Sequence, residues 1–557
     1  MPPVIGSRPS AKSGASAADT GVRVGGEGAG SRRLGLDRFE LAVLAVLAGL
    51  SLAVLGALLT KGRALTGGDG VLASDQLQYF TWIREASEHG LIGNRYDFLA
   101  DDRTFLHPGF LLSGLVHALG VSVPLSYLLW KPVAVGVTFA GALLYVRRLL
   151  PPGGQRRVAL VLVLFAVMPA SALVAWTNWG GNPRQYTFDF ISGEMWSGQY
   201  LWGYLMTSIA VFLMPLVLLG AERWRGARRT RTLVFSALGA LLVCWLQPWQ
   251  GATLALVVVV TELLAWRRSG EMPSAALLAV PAAAAIPAAY YWALSTWDPA
   301  WQLASESNAA GSQPTWSWPW WAIALTLAPL ALPALLAYRE RVNAWQDVAV
   351  RIWPFAALAV YLLPFGTFPY HSFQGLVIPL AILAVQGVAT VWPRPRLALV
   401  VAALFVMTVP GIAHKLEVAV NSVRAAGDPY FVFPGEQRAM DALERHPRPG
   451  GVLAPAYGGH MLPYKTGREV YVGALSWTPD WERRVAETQR LFEGRPPAAE
   501  ARELVRATGA RFIFVDCRPG LRELERLLRP LIEDVRRFDC ATLYVLRRHA
   551  GTALAGG

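Results

Sequence analysis

Residues 39–59 read FELAVLAVLAGLSLAVLGALL, which is the first long apolar run of the chain. An α-helix needs about 20 apolar residues to cross the hydrocarbon core of a bilayer, so this run predicts a transmembrane helix. Arg32, Arg33 and Arg38 precede it, which favours a retained signal anchor over a cleaved signal peptide. Residues 1–36 are rich in Gly, Ser and Ala and are predicted to form a disordered cytoplasmic tail.

Similar runs recur along the chain, which is 54% hydrophobic and only 16% charged. This repetition indicates an α-helical polytopic membrane protein rather than a soluble protein with buried helices. Eleven transmembrane helices are predicted, over residues 39–59, 124–146, 158–176, 201–221, 233–247, 250–266, 274–295, 319–338, 352–370, 374–392 and 397–414.

The distribution of basic residues predicts the orientation of these helices. The formal net charge is +13, but the Lys and Arg residues stand in short clusters between the apolar runs, so no nucleic-acid partner is expected. The predicted inner loops hold 16 Lys or Arg residues, whereas the four short outer loops hold only Arg184. Because cytoplasmic loops favour Lys and Arg, the N-terminus is predicted inside the plasma membrane and the C-terminus outside it.

The transmembrane domain, residues 37–414, is predicted to contain one long outer loop, residues 60–123. Such a length exceeds that of a simple connector. The loop includes a predicted amphipathic helix, residues 75–89, whose apolar face is expected at the membrane interface. That face carries Leu77, Phe80, Ile83 and Leu91.

Residues 415–557 lack long apolar runs and are predicted to form a small extracytoplasmic α/β domain. GVLAPAY, REVYVGAL, RFIFVDC and ATLYVLRR indicate strands, and DWERRVAETQRLFEG and PAAEARELVRATG indicate helices. Cys517 ends one predicted strand and Cys540 begins another. Antiparallel pairing of these strands would allow a disulfide in an oxidising compartment, and any other strand order would leave two reduced, buried thiols.

The predicted outer loops are rich in groups that can do chemistry. Tyr and Trp are common at membrane interfaces, but an interface belt does not explain the amides and carboxylates between them. Aromatic faces stack on sugar rings and polar side chains bind sugar hydroxyls, so a sugar site is predicted. The candidate residues of these loops are Asp69, Asp75, Asp97, Asp101, Asp102, His107, Arg184, Asp189 and Glu194.

DQLQY at residues 75–79 and FLHPG at residues 105–109 resemble motifs of the GT-C superfamily of integral membrane glycosyltransferases. In that superfamily an acidic residue, often followed by a second acid, precedes a Tyr in the first outer loop, and a His-Pro-Pro element often precedes the second span. Gln76 replaces the second acid here, and Gly109 replaces the second Pro. The resemblance covers the architecture of the whole chain, including a soluble outer domain.

The resemblance implies transfer of a sugar on the outer face, from a polyprenyl-phosphate carrier to an envelope glycan, lipid or protein. It implies that Asp75 is the general base that takes the proton of the acceptor hydroxyl in an inverting hexosyl or pentosyl transfer. Tyr79, from the same motif, is implied in donor binding. The alternative is that Asp75 caps the helix that it opens, because Asp is a favoured N-cap residue.

The leaving phosphate needs positive charge or a metal ion. Arg184 is either the phosphate ligand or a surface arginine, and Lys131 and the region of His371 are the other candidate ligands. His107 either orients the phosphate or the acceptor, or is a structural turn residue before Pro108.

Asp189 and Glu194 offer oxygen ligands for a divalent cation such as Mg²⁺ or Mn²⁺, and the sequence leaves the use of a cofactor open. One pocket is expected to contain several Trp side chains together with Asp75, His107, Arg184, Asp189 and Glu194.

Two other functions remain open. A transporter or flippase of lipid-linked sugars would be favoured by the short half-spans within residues 233–266. A ligase or polymerase of envelope glycans would have the same ingredients as the transferase. A transporter needs ionisable residues near mid-span, and the predicted spans carry almost none, so the transferase is favoured. The sequence does not define the donor sugar, the acceptor or the linkage.

Overall fold

The structure is a computed structural model that describes residues 35–61, 65–98, 102–269, 275–316, 318–363, 368–424, 429–518 and 524–547. It is 73% helical and has a small sheet near the C-terminus. Asp101 and nearly all of the predicted N-terminal tail lie outside the described residues.

The helices before the chain midpoint are α1 (Arg38–Ser51), α2 (Ala53–Leu59), α3 (Ala73–His89), α4 (Pro108–Ala118), α5 (Val123–Leu128), α6 (Trp130–Leu149), α7 (Gly154–Phe165), α8 (Pro169–Thr177), α9 (Gly181–Met195), α10 (Ser197–Leu201), α11 (Leu205–Ala227), α12 (Thr230–Leu246) and α13 (Pro248–Ser269). Those of the second half of the bundle are α14 (Ala279–Trp297), α15 (Pro299–Trp316), α16 (Trp320–Ala337), α17 (Trp345–Leu362), α18 (Val377–Val391) and α19 (Leu397–Arg424). Those near the C-terminus are α20 (Pro434–Glu444), α21 (Ala456–Thr466), α22 (Trp481–Phe492), α23 (Ala498–Thr508) and α24 (Leu524–Leu528). Short 3₁₀ helices occur at Ala275–Leu278, Pro369–Phe373, Leu475–Trp477 and Arg529–Leu531.

Six helical segments of the described chain are long and apolar enough to cross a membrane, and two bent helix pairs bring the total to as many as eight. The pairs are α1 with α2, bent by 44°, and α7 with α8, bent by 50°. The six segments are Val123–Leu149, Leu205–Ala227, Pro248–Arg268, Ala276–Trp297, Trp320–Ala337 and Leu397–Val423.

The six segments and the two bent pairs together account for eight of the eleven predicted spans. The remaining three coincide with α12, α17 and α18, which fall short of the same length or apolarity. All three nevertheless pack within the bundle, because α12 lies between α11 and α14, α17 against α13, and α18 against α16. Eleven spans therefore stay a prediction.

The C-terminal sheet contains β1 (Val452–Leu453), β2 (Phe512–Val515), β3 (Ile532–Phe538) and β4 (Ala541–Leu546), in the spatial order β1-β2-β4-β3. β1 and β2 are parallel, and β4 is antiparallel to both of its neighbours. The predicted helices correspond to α22 and α23, and RFIFVDC and ATLYVLRR contain β2 and β4 as predicted.

The prediction of a strand in REVYVGAL is wrong. Only one isolated bridge, between Val470 and Val452, occurs in that segment. The amide of Val470 instead donates to the carbonyl of Arg95, so part of its hydrogen bonding goes to the first long loop. β3 was not predicted, because its sequence IEDVRRF is mostly charged and exposed, as suits an edge strand.

The predicted disulfide between Cys517 and Cys540 is confirmed. Antiparallel pairing of β2 and β4 sets Val515 opposite Thr542, which brings the end of one strand beside the start of the other. The two cysteine Cα atoms are consequently 4.8 Å apart.

The first long loop packs closely on the C-terminal domain. α3 lies between α4 and α21, and its residues Leu77, Phe80 and Ile83 are completely buried in the protein core. The prediction of a membrane-facing apolar side is therefore wrong for these three residues, because protein covers them, whereas Leu91, which follows the helix, is exposed. Tyr464 donates from its hydroxyl to the carbonyl of Thr66 over 2.9 Å, which ties the domain to the loop.

Cys540→Ser should lower the free energy of unfolding of the C-terminal domain by about 3 kcal/mol, because the disulfide restricts the unfolded chain. Thermal unfolding of the full-length protein in detergent measures this change. Cys517→Ser and the double variant should show the same loss as Cys540→Ser, since all three remove one bond. Two free thiols in mass spectra of unreduced protein would contradict the prediction.

Reporter fusions near residue 430 and near residue 226 should report opposite sides of the membrane, with residue 430 outside. The reason is the excess of Lys and Arg in the predicted inner loops. A cytoplasmic signal from the fusion near residue 430 would overturn the predicted topology.

Candidate functional site

Asp75 lies in the first turn of α3, where the helix dipole favours a negative charge. The helix starts at Ala73 and its N-cap is Leu72, so the alternative that Asp75 is the N-cap is wrong. The Oδ2 atom of Asp75 accepts a hydrogen bond from the hydroxyl of Tyr204 over 2.9 Å. Tyr204 immediately precedes α11.

Gln76, the next residue of the same turn, has different partners from Asp75. Its Oε1 accepts hydrogen bonds from the amides of Asp69 and Gly70, over 2.8 and 2.7 Å. Its Nε2 donates to Oδ1 of Asp69 over 3.0 Å. A glutamate at this position would bring a second negative charge to Asp69 and could not donate when ionised. The structure thus gives a physical reason for the amide that departs from the superfamily motif.

Lys131 pairs with the buried carboxylate of Asp69. The Nζ atom lies 2.6 Å from Oδ2 of Asp69 and donates to the carbonyls of Ser51 and Leu201 over 2.9 and 2.8 Å. The ammonium is thus held by two hydrogen bonds to carbonyls and by the ion pair with Asp69. The structure therefore places Lys131, the first alternative to Arg184 as phosphate ligand, in a buried ion pair.

The turn that carries Tyr204 is held on both sides. Gly203 has a φ of +95° and packs so closely on Gly70 that a Cβ would lie 2.6 Å from the Gly70 Cα. The hydroxyl of Tyr127 donates to the carbonyl of Gly203 over 2.7 Å and accepts from the amide of Leu205 over 3.3 Å. The peptide groups before and after Tyr204 are consequently fixed by one buried hydroxyl.

Tyr79 and His107, the two predicted donor-binding residues of the first loop, are joined through Phe110. The Tyr79 and Phe110 ring centroids are 5.3 Å apart, and those of Phe110 and His107 are 4.0 Å apart. His107 is the N-cap of α4, and its Nδ1 accepts from the amide of Phe110. Burial lowers the pKa of His107 to about 3, so the ring is neutral at pH 7. This geometry fits the structural alternative for His107.

Glu194, near the end of α9, is the second buried carboxylate of the site. Its Oε2 accepts from Nδ1 of His371 over 2.9 Å and from Nε2 of Gln374 over 2.8 Å. Burial, followed by the charges of Asp75 and Glu194, raises the pKa of Tyr79 well above its usual value. Burial and the same two carboxylates, Glu194 before Asp75, also raise the pKa of Tyr186 on α9. Tyr79 and Tyr186 are thus influenced by both carboxylates, Asp75 and Glu194.

Asp189 contacts a different element from Glu194. Its Oδ1 lies 2.7 Å from Nε2 of His414, and its carbonyl accepts from Nζ of Lys415 over 2.7 Å. Residues five apart on an α-helix point about 140° apart. Asp189 and Glu194 therefore do not form a common ligand set for one divalent cation.

One group of three potential ligands occurs among the described residues: Glu85, Glu88 and His89. The carboxylate of Glu85 is already paired with Arg95 and Arg103, so this group is no better suited to a cation.

Arg184 lies in the first turn of α9, at the opposite end from Glu194. Its guanidinium carbon is 4.4 Å from the ring centroid of Trp179 and 5.4 Å from that of Trp321. This is cation–π geometry, and it leaves the N–H groups at the edge of the guanidinium plane available to an anion. No contact among the described residues joins Arg184 to Asp75, so one pocket for all predicted residues stays a prediction.

Tyr204, Gln374, His414 and Lys415 were not identified from the sequence, and His371 was identified only as part of a region. The polar group HSFQ at residues 371–374 and the pair HK at 414–415 interrupt apolar sequence, which is a usable signal. Tyr204 gives no such signal, because a tyrosine at the end of a span is typical of an interface belt.

The candidate site therefore includes two carboxylates, several phenols and an imidazole. The carboxylate of Asp75 is fixed by a phenol, and that of Glu194 is fixed by an imidazole and an amide. Such a set can bind hydroxyl groups and accept a proton.

Comparison with protein-family models gives no match, and neither does comparison with the sequences of curated proteins. Among solved structures, the chain resembles the arabinofuranosyltransferase AftD from Mycobacteria, with a TM-score of 0.52 and 16% identity over 92% of this chain and 40% of that chain. It also matches ArnT from Cupriavidus metallidurans bound to undecaprenyl phosphate, with a TM-score of 0.48 and 13% identity over 93% of this chain and 98% of that one. A third match is the oligosaccharyltransferase AglB from Archaeoglobus fulgidus in complex with an inhibitory peptide and a dolichol-phosphate. Its TM-score is 0.46, with 12% identity over 86% of this chain and 69% of that one.

AftD has the GT-C fold of membrane glycosyltransferases. The likeness to AftD shows that this chain has the same fold, as the sequence motifs imply.

Lys131→Met should lower the free energy of unfolding by about 3–5 kcal/mol, because it leaves the buried carboxylate of Asp69 without its partner. Denaturation of the purified protein in detergent measures the loss. The double variant Lys131→Met/Asp69→Asn should be less destabilised than Lys131→Met, since it removes the unpaired charge as well. Equal stability of the two variants would contradict a stabilising ion pair between Lys131 and Asp69.

Proposed function

We propose that the protein is a membrane glycosyltransferase that transfers a sugar from a polyprenyl-phosphate carrier to an envelope glycan, lipid or protein on the outer face. The observation that supports this most directly is the placement of Asp75. Its carboxylate accepts a hydrogen bond from Tyr204, and Asp75 and Glu194 both act electrostatically on Tyr79. The GT-C fold is the scaffold on which the motif of Asp75 is expected to act.

The proposed reaction is a single displacement at the anomeric carbon of the donor sugar. Asp75 takes the proton of the acceptor hydroxyl while the oxygen of that hydroxyl forms a bond to the anomeric carbon. The bond between the anomeric carbon and the phosphate oxygen breaks, and the polyprenyl phosphate leaves with the electron pair. Attack from the side opposite the phosphate inverts the anomeric configuration.

Arg184 is proposed to bind the phosphate of the lipid carrier. Trp179 and Trp321, which flank its guanidinium, are both substantially exposed on the protein surface. Exposed tryptophans are typical of the membrane–water interface, where the phosphate of a lipid carrier resides. The aromatic faces hold the guanidinium while its edge binds the anion. No step of this proposal uses a metal ion, because Asp189 and Glu194 point to different partners.

A transporter or flippase of lipid-linked sugars is the second candidate. The bends of 44° and 50° in two helix pairs favour it, since broken helices often form transport sites. His414 and Lys415, which lie buried in the membrane-length helix α19, favour it as well. A transporter moves the intact donor, whereas a transferase releases polyprenyl phosphate.

Incubation of the purified protein with a panel of polyprenyl-phosphate sugars and candidate acceptors separates these two functions. The expected result is release of polyprenyl phosphate together with a glycosylated acceptor. Movement of an intact donor across reconstituted vesicles without any release would overturn the proposed function.

Asp75→Asn should lower the rate of transfer by about 10²–10⁴-fold, because an amide cannot take a proton. The amide oxygen can still accept from Tyr204, so the thermal unfolding temperature should be close to that of the parent protein. Asp102→Asn is the matched control, since Asp102 is an exposed carboxylate of the same loop. Near-normal turnover by Asp75→Asn would show that Asp75 is not the general base.

A further inference from the structure

The hydroxyl of Tyr204 donates to Oδ2 of Asp75 over 2.9 Å. The backbone around Tyr204 is fixed through the hydroxyl of Tyr127 and through the close contact of Gly203 with Gly70. Because the backbone of Tyr204 is fixed, its hydroxyl restricts the rotation of the carboxylate to which it donates.

The segments that carry Asp75 and Tyr204 are both linked to the ammonium group of Lys131. On one side, Lys131 pairs with Asp69, which is bonded to Gln76, the neighbour of Asp75. On the other side, Lys131 donates to the carbonyl of Leu201, three residues before Tyr204. The separation between the phenol and the carboxylate is therefore set by buried contacts rather than by the flexibility of a surface loop.

We propose that Tyr204 is a positioning residue that holds the carboxylate of Asp75 in one orientation and keeps it ionised for the transfer. This inference rests on the proposed function, because it gives Asp75 the part of the proton acceptor. Tyr204 itself takes no part in bond formation or cleavage.

The electrostatic surroundings explain why such a donor is needed. Among the described residues, the charge of Asp75 acts on Tyr79 of its own helix, Tyr186 on α9, Tyr370 before α18 and Tyr204, and the charge of Glu194 acts on the same four phenols. The carboxylate of Glu194 acts on the same tyrosines as Asp75, and a negative charge nearby disfavours the ionised form of a second carboxylate. A hydrogen bond donated to the charged form favours that form, so Tyr204 offsets this repulsion.

The test is Tyr204→Phe in the full-length protein, with transfer measured across a range of pH. Loss of a hydrogen bond to a charged group should lower kcat by about 10–100-fold, while KM for the donor stays unchanged. Without the donor, the pKa of Asp75 should rise, so the acid limb of the kcat profile should move to higher pH by about one unit.

Tyr464→Phe is the matched control for loss of a buried tyrosine hydroxyl. The hydroxyl of Tyr464 donates to the carbonyl of Thr66 in the interface with the C-terminal domain. This variant should lose a similar amount of thermal stability to Tyr204→Phe, but its pH profile should match that of the parent protein. If Tyr204→Phe behaves in the same way as this control, Tyr204 is only structural and the inference is wrong.

A second measurement does not depend on turnover. Carbodiimides react with protonated carboxyl groups, so labelling of Asp75, followed by mass spectrometry as a function of pH, reports its ionisation directly. In Tyr204→Phe the labelling should extend to higher pH than in the parent protein and in Tyr464→Phe. Identical labelling curves would overturn the inference whatever the activity.

The two measurements also separate this inference from the proposed function. If no donor is turned over but the labelling curve shifts, the proposed reaction fails, while the effect of Tyr204 on the ionisation of Asp75 stands. If Asp75→Asn is inactive and Tyr204→Phe has a normal kcat and an unshifted curve, the inference fails and the proposed function stands.

Discussion

The buried ammonium of Lys131 is the interaction on which the arrangement of the candidate site depends. It joins α1 through the carbonyl of Ser51, the first loop through Asp69 and the end of α10 through Leu201. A charge removed from water is costly unless every donor and acceptor is satisfied. Three acceptors in suitable positions exist only when these three elements have come together. The ion pair thus favours one arrangement of the chain over other compact ones.

That arrangement places two consecutive side chains of α3 in different environments. Gln76 faces the ion pair and satisfies two backbone amides, while Asp75 accepts from Tyr204 and acts on Tyr79 together with the carboxylate of Glu194. Two carboxylates that share the same phenols as neighbours repel each other. The phenol, the imidazole and the amide that donate to them compensate for part of this cost. Such sites are costly to build, which is why buried carboxylates often mark function.

The C-terminal domain contributes to the same site indirectly. It covers the apolar side of α3, so this helix lies between protein surfaces and not at the surface of a bilayer. The hydroxyl of Tyr464 bonds the loop at Thr66, and Arg484 forms an ion pair with Asp97 over 2.9 Å. Asp75 is therefore positioned by elements from both ends of the chain. The disulfide stabilises the strands that follow this interface.

The sequence by itself determined the properties that depend on local composition and period. Apolar runs of membrane length predict helices wherever they occur, because the bilayer thickness sets one length for all of them. The strands that contain β2 and β4 could be predicted from β-branched and aromatic residues, whereas the sequence left their pairing open and predicted the disulfide only for an antiparallel arrangement. The motif at residues 75–79 pointed to Asp75, and the resemblance of that motif indicated the fold.

Only the tertiary structure decided which polar groups meet. Tyr204 and Asp75 are 129 residues apart in the chain, and His371 and Glu194 are 177 apart, so no local pattern predicts either contact. The tertiary structure also decides what covers the apolar face of α3. The spacing of the apolar residues predicts that this face is buried, but not whether lipid or protein covers it. Asp189 and Glu194 looked like a ligand pair in sequence, but the helix directs them to different partners. Sequence thus fixes the side chains and their local geometry, whereas long-range packing selects their partners.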